Sequence, residues 1–143
     1  MADKYDALKL ENQICFPLYA CAKEVVRKYK PFLDELDITY TQYIALMVLW
    51  EHEKLSVKEI GEHLYLDSGT LTPLLKTLEK KGLIKRYRSE VDERVLFAEI
   101  TAEGMKLREK AVDVPYQLSG CIPLPEDDAK ELYRILHLLL EKI

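Results

Sequence analysis

From Leu55 to Arg94 the chain runs LSVKEIGEHLYLDSGTLTPLLKTLEKKGLIKRYRSEVDER, and this stretch decides the fold. It opens on a capping box, Ser56 with Glu59, and Leu55 and Ile60 stand where a hydrophobic staple needs them. A short helix to Leu64 follows, then the turn Tyr65-Leu66-Asp67. The next helix carries Leu71, Leu74, Leu75 and Leu78 on one face and stops at Gly82, a residue suited to the position after a helix. Its start has two candidates. Asp67 is a good cap; so is Thr72, with Pro73 then at the first helical position. Beyond Gly82 the helical period gives way to two strand-like runs, Leu83 to Arg88 and Val95 to Ile100, rich in β-branched and aromatic residues. The charged stretch Ser89 to Arg94 between them suits an exposed hairpin loop.

Helical patterns extend outward on both sides. Leu10, Ile14, Leu18, Cys21, Val25 and Tyr29 recur at three or four residues, which predicts a helix over 8–29 that Pro31 ends or interrupts. Thr41 to Glu53 reads as a largely buried helix. Thr101 is a cap with Glu103 in the first turn, which predicts a helix to about Ala111. Pro115, Gly120, Pro123 and Pro125 break the segment that follows, and a last helix spans Glu126 to Ile143 with Leu132, Ile135, Leu136, Leu139 and Ile143 as its stripe. The order is helix, helix, helix–turn–helix, hairpin, helix, helix. The fold class is mainly α with a small β part (α+β): one domain over 1–143, with a winged helix-turn-helix at 37–100 between helical arms at 1–36 and 101–143. The arms carry more apolar surface than one small winged core can cover, which predicts mutual burial in a homodimer.

Composition narrows the function. The chain has 143 residues and a net charge of −4. That charge is unevenly spread: residues 1–75 sum to −4, 76–98 to +3 and 99–143 to −3. A basic island on the second helix of the pair and the hairpin counts for more toward a polyanion than the total does. No apolar run approaches a membrane span, and the charged first residues offer no signal-peptide core, so a cytoplasmic protein with no membrane partner is expected. Three cysteines are too few for a disulfide scaffold. His52, His63 and His137 are scattered in sequence and no Cys/His pair has ligand spacing, so neither a metal nor another cofactor is expected.

The chemistry concentrates on the basic island. Opposite the leucines, the helix after Asp67 presents Gly69, Pro73, Lys76 and Lys80, flanked by Ser68, Thr70, Thr72 and Thr77. Small hydroxyls near a helix N-terminus approach phosphates and base edges closely, and a lysine reaches phosphate or guanine. In the hairpin, Ile84, Arg86 and Arg88 share one strand face. An arginine at the tip, Arg94, suits insertion into a narrow minor groove, with Asp92 two residues away to hold its guanidinium extended. A solvated face is the commoner meaning of such a helix alone; here the capped helix before it and the basic hairpin after it favour DNA.

The run DSGTLTPLLKTLEKKGLIKRYRSEVDER, residues 67–94, resembles the recognition helix and wing of the MarR family of bacterial regulators. With LENQICFPLYA, residues 10–20, the likeness narrows to the organic-hydroperoxide-sensing OhrR subgroup and extends over nearly the whole chain. The resemblance implies a dimeric repressor of an inverted-repeat operator in double-stranded DNA, with an organic hydroperoxide as inducer. It places DNA contacts on Ser68, Thr70, Thr72, Pro73, Lys76, Arg86, Asp92 and Arg94; strand geometry adds Arg88. It makes Cys15 the redox sensor, supported by Tyr19 on the same helix face and by Tyr29 and Tyr40 arriving from the partner subunit. Cys121 matches the region where some members carry a resolving cysteine, which implies a Cys15–Cys121 disulfide across the dimer; otherwise a small cellular thiol caps the sensor. Cys21 points away from Cys15 on a helix and reads as core. Pro17 departs from the family pattern. A helix restarting there would leave Cys15 near a helix N-terminus, which favours the thiolate.

Two other functions fit less. A repressor of the same fold relieved by a small aromatic ligand would need no sulfur at position 15. A thiol peroxidase would leave the basic hairpin without a purpose, and no His or Arg stands clearly poised beside Cys15.

Overall fold

The computed structural model describes residues 3–143. Two short 3-10 turns, Asp6–Leu8 and Leu10–Asn12, lead into α1 (Cys15–Asp34), α2 (Tyr40–His52), β1 (Lys54–Ser56), α3 (Val57–Leu64) and α4 (Ser68–Lys80). A hairpin of β2 (Ile84–Arg88) and β3 (Leu96–Ile100) follows, then α5 (Ala102–Ala111), α6 (Val114–Ser119) and α7 (Glu126–Lys142). The sheet is antiparallel in the order β1-β3-β2, with Leu55 opposite Ala98 and Arg86 opposite the same residue on the other side. The core joins Leu33 and Ile38 to Leu46 and Leu49 of α2, Ile60 of α3, Leu71, Leu75 and Leu78 of α4, and Ile84, Ala98 and Ile100 of the sheet.

Local chemistry sets the ends of these elements. Thr39 and Gln42 form a capping box that starts α2, a helix apolar nearly all round and therefore central. Ser56 and Glu59 form the second box: Glu59 N donates to Ser56 Oγ at 3.1 Å and Ser56 N to Glu59 Oε1 at 3.1 Å. Ser56→Ala removes the Oγ acceptor of the Glu59 amide and keeps the backbone N–H that Glu59 accepts. It is expected to cost about 1 kcal/mol and to lower the midpoint of a thermal melt by roughly 2–4 °C, measured at fixed protomer concentration. Tyr65 then takes the left-handed conformation that ends α3, and Gly61 lets α3 and the turn close together. A Cβ on Gly61 would lie 2.7 Å from the Leu66 carbonyl oxygen.

Three elements differ from the sequence expectation, and a fourth takes one of two starts left open. α1 begins at Cys15 and not at residue 8, and it runs through Pro31 to Asp34. Pro17 costs it no hydrogen bond, since the first four amides of a helix have no internal acceptor; Leu33, 2% exposed, anchors the turn beyond Pro31. β1 is three residues long, too short to carry a periodic signal. The segment after Val112 holds α6, which packs on α1 and buries Val114 and Leu118. For α4 the Asp67 start is the one adopted: Thr70 N donates to Asp67 Oδ1 at 2.8 Å, and Pro73 sits inside the helix.

The helical arms behave differently from the core. No residue of α7 is buried within the chain, and Leu132, Ile135, Leu138 and Leu139 are each 40–46% exposed. Ile14, Phe16, Leu18 and Tyr19 are likewise exposed at the start of α1. Residues 1 and 2 of the N-terminal arm expected over 1–36 lie outside the described residues.

Candidate functional site

The α4 helix turns Leu71, Leu75 and Leu78 fully inward, so its other face is free. Ser68, Gly69, Thr70, Pro73, Lys76 and Lys80 are exposed there, with Thr72 half-buried at the edge. Asp67 caps the helix and its carboxyl is held below the usual range by the Thr70 amide and hydroxyl, so it stays ionised at neutral pH.

The wing contains one reversal. Ile84, Arg86 and Arg88 do alternate on one strand face, as the sequence predicts. That face is the inward one, because Ile84 is buried. Arg86 is therefore directed at α4: Nη2 donates to Glu79 Oε1 at 3.1 Å and its own backbone N–H to Glu79 Oε2 at 3.1 Å. Its side chain is only 16% exposed, and Nε is buried without a partner. Arg86, expected among the DNA contacts, ties the wing to α4 through Glu79. Arg88 lies past the edge of the core and is exposed. At the tip, Arg94 Nε and Nη2 donate to the two oxygens of Asp92 at 3.1 and 3.2 Å, and the guanidinium holds the Asp92 carboxyl below its usual range. The Asp92–Arg94 pair is present, and the Arg94 side chain is 89% exposed. On the outer sheet face Lys85 and Tyr87 both meet Glu99, and Lys54 lies over the Phe97 ring, a cluster that stiffens the wing and that the sequence reading missed.

The thiols and tyrosines fall into separate groups. Cys15 is the first residue of α1 and exposed; Tyr19, one turn on, is also exposed. Tyr29 and Tyr40 pack together with ring centroids 4.9 Å apart, and both touch the buried Tyr43. Burial, reinforced by the neighbouring phenols, pushes the Tyr29 hydroxyl up to about 12, so at neutral pH it keeps its proton and can only donate or accept as a phenol. Fourteen residues separate Cys15 from Tyr29 on one helix, about 21 Å along its axis, so within a single chain they do not meet. Cys121 follows α6, half-buried, with Sγ 3.7 Å from the Gln117 carbonyl oxygen. Cys21 is exposed and not core, because the α1 face that holds it has no cover within the chain. His52 and His63, far apart in sequence, have ring centroids 5.1 Å apart where α2 ends beside α3. Among the described residues no group of three or more His, Cys, Asp and Glu side chains is arranged to hold a metal ion, and no helix is long and apolar enough to cross a membrane.

A cradled recognition helix with a rigid basic wing, between arms with uncovered apolar faces, defines a winged-helix transcriptional regulator. The family model described as transcriptional regulator SarA/Rot matches residues 27–111. The organic hydroperoxide resistance transcriptional regulator of Bacillus subtilis (strain 168) is 54% identical over 143 residues, covering 100% of this chain and 97% of the relative. The chain belongs to the MarR family and, within it, to the organic hydroperoxide resistance regulators. Among solved structures, the reduced AbfR bound to DNA is 36% identical with a TM-score of 0.79 over 98% of both chains. A disulfide form of AbfR is 35% identical, with a TM-score of 0.66 over 97% of this chain and 94% of its own.

Proposed function

We propose that the chain is a homodimeric repressor that binds an inverted-repeat operator and releases it when an organic hydroperoxide oxidises Cys15. The observation that carries this reading is an exposed cysteine at the head of an arm helix whose apolar face is uncovered, in a chain with an exposed recognition helix. The thiolate attacks the outer peroxide oxygen, the O–O bond breaks, and an alcohol leaves while sulfur gains one oxygen as sulfenic acid. Tyr19, with Tyr29 and Tyr40 of the partner subunit, supports the thiolate by donating phenolic hydrogen bonds; the raised Tyr29 hydroxyl suits that role. The arms, residues 1–36 and 101–143, form the dimer, and residues 37–100 carry the DNA-binding unit. Ser68, Thr70, Thr72, Pro73 and Lys76 meet the major groove, Arg88 meets phosphate, and Arg94, held by Asp92, enters the minor groove. Arg86 acts through Glu79 to fix the wing angle. The regulator performs no catalytic turnover.

The sulfenic acid condenses with Cys121 of the partner, expelling water and joining the subunits. The setting of Cys121, half-buried and just past the end of α6, supports this assignment. After treatment with cumene hydroperoxide, non-reducing electrophoresis is expected to show a covalent dimer for the parent and monomer for Cys121→Ser. A covalent dimer that persists in Cys121→Ser through Cys15 overturns the pairing. The operator reading is tested by fluorescence anisotropy with the duplex upstream of the chain's own gene, reduced and oxidised; equal affinity in both states overturns it.

A cavity of 410 Å³ favours one second reading. Val26, Leu33, Ile38 and Tyr40 line it together with Lys23 and Arg27, a chemistry suited to a small aromatic acid. Under that reading Cys15→Ser still lets go of DNA when the ligand is added.

A further inference from the structure

The wing tip carries a charge opposite to its task. Residues 89–94 hold three carboxylates, Glu90, Asp92 and Glu93, against a single guanidinium, Arg94. Asp92 is accounted for: it pairs with Arg94 and accepts the Arg94 backbone N–H at 3.1 Å. Glu90 and Glu93 are exposed, and neither forms an ion pair or side-chain hydrogen bond among the described residues. The loop that displays them is stiff. Ser89 Oγ accepts from both Val91 N and Asp92 N at 3.2 Å, Ser89 N donates to Val95 O at 2.8 Å, and Val95 N to Asp92 O at 2.9 Å. These bonds leave Val91, 96% exposed, as an apolar apex between the two free glutamates. A backbone held this way keeps the Cα positions of Glu90 and Glu93 at the wing tip. In the DNA-binding reading the two unpaired anions travel with the wing tip toward the phosphates, and charges act on one another over roughly 10 Å at ordinary ionic strength.

We propose that Glu90 and Glu93 limit operator affinity: they repel the phosphates on either side of the wing, and confine its attraction to Arg88 and Arg94. The inference rests on the DNA-binding reading above and adds to it a residue pair that opposes binding. Phosphate attraction is independent of sequence and falls with salt, so the opposition of the two carboxylates has the same character. A regulator whose wing grips less tightly than its arginines allow is held in place by register with both half-sites, and a modest displacement frees it.

The test compares the parent with Glu90→Gln, Glu93→Gln and the double variant by fluorescence anisotropy over a series of KCl concentrations. Two duplexes are used, the one upstream of the chain's own gene and a scrambled one. Glu35→Gln, at the end of α1 and outside the wing, serves as the charge-matched control. The double variant is expected to bind both duplexes about tenfold more tightly at 50 mM KCl, with the advantage shrinking as salt rises and the log–log slope steeper by about 1. Its ratio of specific to non-specific affinity and its thermal midpoint stay at the parent's values, and Glu35→Gln changes affinity less than twofold. Unchanged affinity in the double variant overturns the proposal. So does weaker binding confined to the specific duplex, which would make a glutamate an acceptor for a base amino group. If the parent itself shows no preference for its upstream duplex, the DNA-binding reading fails first, and the two failures are distinguishable.

Discussion

Cys15→Ser is expected to bind the operator as the parent does and to stay bound when cumene hydroperoxide is added. Serine differs from cysteine by one atom, and the side chain is exposed at the head of α1, so neither core nor cap is disturbed. The hydroxyl keeps the shape and loses the nucleophile, since a serine oxygen does not take oxygen from a peroxide under these conditions. A coupling of one to three kcal/mol between an effector event and a distant site corresponds to about 5–150-fold in affinity. The parent is expected to lose roughly 100-fold, at the upper end of that range, while the variant changes less than twofold. Anisotropy titrations before and after peroxide treatment, with the sulfenic acid trapped by dimedone and weighed by mass spectrometry, give both halves of the result. A Cys15→Ser protein that lets go of DNA under peroxide as the parent does places the trigger elsewhere, and the small-ligand reading then takes over.

Legibility in the sequence followed how local the determinant was. Ser56 with Glu59 and Thr101 announced their helices because a cap needs only residues three apart. The leucines of α4 fixed its buried side for the same reason. Arg86 shows where locality ended. Alternation put it correctly with Ile84 and Arg88, but which strand face turns inward depends on what packs against the hairpin, and that is Glu79 of another element. Pro31 reads as a helix end on backbone chemistry alone; the burial of Leu33 two residues later, a tertiary contact, carries the helix past it. The sensor group was least legible of all. Cys15 and Tyr29 lie on one helix too far apart to meet, so the proposed link between them needs a second subunit and was readable only through resemblance.

Gly104→Ala is expected to be the most damaging small change to the fold. In a helix interior the swap from glycine to alanine is favourable on propensity. Here the α5 backbone is pressed against the root of the wing. An added methyl would collide with the Leu83 carbonyl oxygen and come within 2.5 Å of Ile100 Cδ1. The Leu83 carbonyl cannot retreat freely, because it accepts the Thr101 N–H at 3.1 Å, and Thr101 Oγ1 also caps α5 and donates to the Gly82 carbonyl. On the other side, Trp50 Nε1 donates to the Gly104 carbonyl oxygen at 2.9 Å, which ties the same residue to α2. Overpacking of so fixed a site costs about 3 kcal/mol, or a melting midpoint lower by roughly 6–12 °C. The strain also moves the start of β2, so the wing loses register with α4 and operator affinity falls along with stability. Gly120→Ala is the matched comparison: its φ is −73° and the nearest atom to an added Cβ is 3.8 Å away, so it is expected to melt at or slightly above the parent. Thermal melts of the three proteins at one protomer concentration decide it. A Gly104→Ala protein that melts within a degree or two of the parent would mean that α5 can move off the wing root at little cost, and that the close approach does not set the wing's position.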